Sequence, residues 1–346
     1  MGVEPEDLRE AVGERVPVPT YAEVLPAVAK AVPEKSRTAY GTYWGRIEDR
    51  WGDRRVDTTT VADVVALFEW TRENVVVRRS ANGGASAVLH TYEALRCVFR
   101  YCVEQEILTA RQNVMDRVTK PPRPKSRRHA LTPRLWAEID RAARSGGLDP
   151  NLDALVLRFH LETACRTGGA LNVRVKDLDA DQCLVRLTEK GEKARWQPVS
   201  PTLMKYLLHH AHERGARDPG SRVLRFLNGT PLTKRRYENM WNRIGKQVDS
   251  VQVLGISAHW LRHTTLTWVE RNFGIAVARA YSGHVEPNSN RQGTTYVYTK
   301  ASLGEVATAL QALTNEPHPL AIEGLWTPPD TNARHPLQGE LDPPPY

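Results

Sequence analysis

Apolar residues recur at helical spacing along most of the chain, and caps mark where the helical runs begin. Thr20 with Glu23 forms a capping box ahead of an apolar run ending at Val32, with Pro26 weakening its first turns. Tyr40, Tyr43, Trp44 and Ile47 share one face of a run over 34–51, and Thr60 caps a run carrying Val61, Val64, Val65 and Phe68. A fourth run starts near Ser86, where Val88, Tyr92, Leu95, Phe99 and Cys102 line up. Four short amphipathic helices with no strand pattern between them predict a compact helical bundle over 20–118, after an N-terminal segment at 1–19.

The second half begins with a strong start signal, Thr132 as cap and Pro133 at the first helical position. Helices are predicted over 133–144 and 152–165. Two β-prone runs, 184–188 and 196–199, flank the turn EKGEK and predict a hairpin with Lys190 at its tip. Further helices follow over 201–214, 233–248, 257–271, 275–281 and 301–313. The fold class is therefore mainly α: a helical bundle, then an α+β unit over 131–314 with a small antiparallel sheet. The Pro-rich stretch 315–346 holds few large apolar residues and is expected to be disordered.

Between the two halves, 119–130 reads as a Pro-rich basic linker in which Lys120, Arg123, Lys125, Arg127 and Arg128 have no acid nearby in sequence. A solvated tether is one reading; a strand lying on phosphates is the one its charge density favours. The whole 346-residue chain carries a formal net charge of +8, which favours a polyanionic partner, nucleic acid first. Cys97, Cys102, Cys165 and Cys183 lack paired spacing and sit in apolar stretches, as reduced core thiols would. With no run long enough for a bilayer and an acidic first fifteen residues unlike a signal peptide, a cytoplasmic location is expected. His209, His210 and His212 fall near a helix end, but adjacent histidines do not share a helix face and no Cys or carboxylate set accompanies them. A solvated, dipole-complementing end is expected there rather than a metal site. No Walker-type glycine loop is present.

Four separated segments of the second half each carry a polar group with no evident structural task. Arg166 closes an apolar helix in TACRTGG; Lys190 sits on the hairpin tip; His259 and Arg262 lie one turn apart in HWLRH; and His284 follows Gly283, with Tyr298 beyond it. Singly these signals are weak. Jointly, the order Arg, Lys, His-x-x-Arg, Gly-His, Tyr resembles the tyrosine recombinase (phage integrase) family, over about 130 to 313, and the bundle before it resembles that family's core-binding domain. Where the family shows Thr-Gly-x-Arg-x-x-Glu-Leu, this chain has Gly169 in place of the acid that supports the arginine. Lys193 competes with Lys190 for the hairpin lysine, and Tyr296 with Tyr298 for the nucleophile. The Thr-rich approach and the following helix favour Tyr298, although the spacing from His284 is longer than usual.

The resemblance implies DNA strand transfer through a 3′-phosphotyrosine link, without metal, ATP or any other cofactor. Arg166 and Arg262 would hold the non-bridging oxygens, His259 would take the phenol proton or the field of the two arginines would ease its ionisation, Lys190 would protonate the 5′ oxygen, and His284 would bond the phosphate. It also implies double-stranded DNA gripped by both domains and a homotetramer in the synapse, with the 301–313 helix docking either on its own domain or on a neighbour. A DNA-binding protein of this fold without chemistry, or a type IB topoisomerase, are the other readings.

Overall fold

The computed structural model describes residues 17–75, 82–124, 126, 128–188, 194–283 and 301–327. The chain packs as two compact units, 1–126 and 127–346.

The first unit is built from α1 (Tyr21–Ala31), α2 (Glu34–Trp51), α3 (Val61–Glu73) and α4 (Ala85–Glu104). Capping boxes at Thr20 with Glu23 and at Thr60 with Asp63 satisfy the first backbone donors of α1 and α3, as their sequences predict. The apolar faces meet in one core that includes Tyr21, Trp44, Ile47, Leu67, Leu95 and Phe99. Two of its buried polar tips are matched: Tyr21 Oη bonds Thr59 Oγ1 at 2.8 Å, and Trp44 Nε1 donates to the Ala94 carbonyl at 3.1 Å.

In the second unit, α5 (Pro133–Arg144) begins at the Thr132 cap and α6 (Pro150–Thr163) runs through the middle of the core. Every residue of α6 from Leu152 to Thr163 is buried, so this helix has no solvent face, and its charged residues need internal partners. Asp153 receives Arg236 and Arg243 at 2.6 and 2.9 Å. Arg158 donates to Glu162 at 2.7 Å and to Glu316 at 2.6 Å, and His160 bonds Tyr237 Oη at 2.9 Å.

The short α7 (Thr167–Asn172) follows, then β1 (Leu178–Asp179), β2 (Leu184–Thr188) and β3 (Ala194–Pro198), an antiparallel sheet in the order β1-β2-β3 with Leu187 opposite Arg195. After it come α8 (Pro201–Glu213), α9 (Lys234–Gly245), α10 (Asp249–Leu254), α11 (Ala258–Ser282) and α12 (Leu303–Thr314). The runs expected as separate helices over 257–271 and 275–281 form one element, α11, broken at Gly274 (φ 81°, ψ 170°). Helix α12 packs on α11, β3 and α6 of its own unit, with Val306, Ala309, Leu310 and Leu313 buried.

Two expectations need correction. The stretch after α12 is structured as far as Thr327: Glu316 reaches Arg158, and buried His318 donates from Nε2 to the Cys183 carbonyl at 3.2 Å. A scarcity of large apolar residues did not prevent ordering, because polar anchors hold this segment. His210 is likewise no solvated helix end. It is buried, accepts from the Arg225 backbone at 3.2 Å, and burial brings its pKa down to about 4.

Candidate active site

Helix α6 stops at Thr163 because Ala164 turns left-handed (φ 49°), a conformation in which a side chain is strained and glycine is at ease. Arg166 then sits at the N-cap of α7 with extended backbone, half-buried, carried past the helix end instead of along it. Gly169 is buried within α7, so no side chain at that position can back the arginine.

His259 and Arg262 stand in the first turns of α11. That helix is fixed to the core by Thr265 Oγ1, which donates to the Leu161 carbonyl at 2.6 Å, and by Thr264 Oγ1, which accepts from Leu131 N at 2.9 Å. Arg262, only 3 % exposed, donates from Nη1 to the Ala164 carbonyl and from Nη2 to the Ser282 carbonyl at 2.8 Å. One guanidinium therefore joins the segment leading into Arg166 to the end of α11.

His259 lies at the surface, yet its pKa is lowered from 6.5 to about 4. Partial burial is the first cause, followed by the charges of Arg128, His263, Arg262 and Arg166. His263 packs edge-on against it with ring centroids 5.1 Å apart, and its own pKa is lowered by burial, Arg128 and Arg262. The fold thus brings Arg166, His259 and Arg262 into one cationic neighbourhood, and Arg128 and His263 join them. An imidazole in such surroundings is neutral at pH 7, and the same cations make it a weaker base until negative charge enters the site.

A model of the phage integrase family matches residues 129–302, half of the chain. The chain belongs to the phage integrase family. Tyrosine recombinase XerC of Chlamydia pneumoniae is 24% identical over 249 residues, 68% of this chain and 75% of that protein. Among solved structures, a lambda integrase tetramer bound to a Holliday junction superposes with a TM-score of 0.62 at 14% identity, covering 87% of this chain and 82% of that one. The Tn1549 transposon integrase in complex with circular intermediate DNA gives 0.58 at 14% identity, covering 82% of this chain and 95% of that one. The fold is that of these integrases, a mainly helical chain with a small antiparallel sheet.

Of the family's motif residues, Lys190, His284 and Tyr298, with the alternatives Lys193 and Tyr296, lie outside the described residues, as do Lys125 and Arg127 of the linker. Arg123 and Arg128 are exposed. Lys120 corrects the expectation of unpaired linker cations: its ammonium meets Glu93 at 2.5 Å and lies over the Tyr92 ring at 5.9 Å. Glu93 is on α4, so its partner could not be read from the linker alone. His263 and Arg195 were missed. The signal for Arg195 is its place in β3, at the inward position opposite buried Leu187, where a cation needs an internal partner. No helix among the described residues is long and apolar enough to cross a membrane.

Proposed function

We propose that this chain is a site-specific DNA recombinase that integrates or excises a mobile element, working in the cytoplasm as a homotetramer on two duplexes. The observation carrying this reading is the junction of Arg166, His259 and Arg262 from sequence-distant segments, with a neutral imidazole among guanidiniums. The named relatives and integrase neighbours support recombination, and the Holliday-junction tetramer supports the assembly.

In the proposed mechanism the scissile phosphate rests against Arg166 and Arg262, whose N–H groups meet the charge that grows on its non-bridging oxygens. Arg262 commits two donors to the Ala164 and Ser282 carbonyls, and those bonds hold the direction of its guanidinium. The Tyr298 phenol oxygen attacks phosphorus in line and passes its proton to His259. The bond from phosphorus to the 5′ oxygen breaks, and that oxygen takes a proton from Lys190, leaving a 5′-hydroxyl and a 3′-phosphotyrosine ester. His284 bonds the phosphate. Attack by another strand's 5′-hydroxyl reverses the steps, and because the ester conserves the bond, no nucleotide triphosphate is consumed. Lys120, Arg123, Lys125, Arg127 and Arg128 supply phosphate contacts that fix the register on the duplex.

Incubation with a pool of nicked random-sequence duplexes should yield detergent-resistant protein–DNA adducts that Tyr298→Phe abolishes. No adduct with the wild type would defeat the recombinase reading. Adducts that survive Tyr298→Phe and disappear in Tyr296→Phe would move the nucleophile.

A further inference from the structure

Arg195 is a cation that the mechanism above leaves without a task. From β3 its Nη2 donates to the Thr163 carbonyl at 3.3 Å, and its Nη1 donates to Oε1 of fully buried Gln197. Thr163 is the last residue of α6, three before Arg166. The other side of the same guanidinium stem lies against Gly283, where a Cβ would come within 2.6 Å of Arg195 Cδ. Gly283 has φ 66°, so both its backbone and the close approach require glycine there.

Arg262 makes a parallel pair of ties, to the Ala164 carbonyl and to the Ser282 carbonyl. Two guanidiniums from different elements thus grip the same two stretches, 163–164 ahead of Arg166 and 282–283 at the end of α11. The Thr163 and Ala164 carbonyls lie at a helix C-terminus, where acceptors lack helical partners and the dipole favours cations. A planar fork can serve Thr163 and Gln197 at once; an ammonium on a flexible stem cannot keep both directions.

We propose that Arg195 is a positioning residue for Arg166: by holding the Thr163 carbonyl and packing on Gly283, it sets where the Arg166 guanidinium meets the scissile phosphate. This rests on the recombinase reading. Arg195 acts through Arg166, so its loss should weaken the stabilisation of charge on the non-bridging oxygens, and a displacement near 1 Å costs about a hundredfold in rate.

The test compares strand cleavage of a selected duplex carrying an ordinary scissile phosphodiester with one carrying a methylphosphonate, which bears no charge for Arg166 to neutralise. For each variant the ratio of the two rates is read, so that the fraction of folded protein cancels. Arg195→Ala should lower the phosphodiester-to-methylphosphonate ratio by roughly ten- to a hundredfold, in the same direction as Arg166→Ala, with Arg195→Lys between it and the wild type. An unchanged ratio, whether both rates fall together or neither falls, would overturn the positioning role. Failure of the wild type to cleave either duplex would instead overturn the recombinase reading, and this proposal with it.

Discussion

A histidine with a pKa near 4 is neutral at pH 7 but a weak base, and it takes a phenol's proton more readily once its pKa has risen toward the working pH. Partial burial and the cations around His259 produce that state. A bound phosphate brings negative charge into the same space and should therefore raise the value. NMR titration of the free protein should place His259 near 4, and a bound duplex should move it upward; a value that a bound duplex leaves near 4 would argue against His259 as the proton acceptor. Unfolding returns the imidazole to 6.5, so between about 6.5 and about 4 the unfolded chain binds more protons, and this residue's contribution to stability is lost as the pH falls through that window. At this scale the motif spacing singled out Arg166, His259 and Arg262, three residues that the fold brings into one neighbourhood. The pairing of Lys120 with Glu93 and the ties of Arg195 were illegible, because each partner belongs to an element distant in sequence.

Elements were legible where their ends carry chemistry. Thr20, Thr60 and Thr132 cap α1, α3 and α5 where their sequences place them, since capping is decided within four residues. The end of α6 was set two residues too late, at 165, because the left-handed turn at Ala164 uses a residue that gives no sign of it. Gly274 is the opposite case: the predicted division between 271 and 275 falls on a glycine at φ 81° and ψ 170°, a region that side chains essentially do not occupy. Apart from its chain neighbours and the backbone of its own helix, nothing among the described residues stands within 4 Å of where a Cβ would lie, so backbone conformation decides the effect of substitution. Gly274→Ala should cost about 1–3 kcal/mol in urea denaturation. An unchanged midpoint would mean that α11 can run straight through this position.

At the scale of the whole chain, two separate cores follow from two runs of amphipathic pattern, but the closure of the second core by residues beyond α12 did not show in any pattern. Glu316 takes Arg158 Nη2 on one carboxylate oxygen at 2.6 Å and Thr202 N on the other at 3.1 Å. Arg158 in turn donates to Glu162, whose carboxylate also receives the Ser200 hydroxyl and backbone at 2.9 and 2.8 Å. Glu162 precedes Thr163, so this network lies directly beneath the turn that presents Arg166. Arg158 is 4 % exposed, and removal of Glu316 leaves its charge less compensated in a poorly solvated place, a situation that costs up to about 3 kcal/mol. A chain ending at residue 314 should accordingly be less stable than one ending at 327, with Glu316→Gln in the full chain reproducing much of the loss. Because the pair is shielded from solvent, the difference should persist in about 1 M salt, where exposed ion pairs fade. Equal stability of the two truncated chains would show that Arg158 is satisfied without Glu316 and that the segment after α12 lies on the surface without holding it.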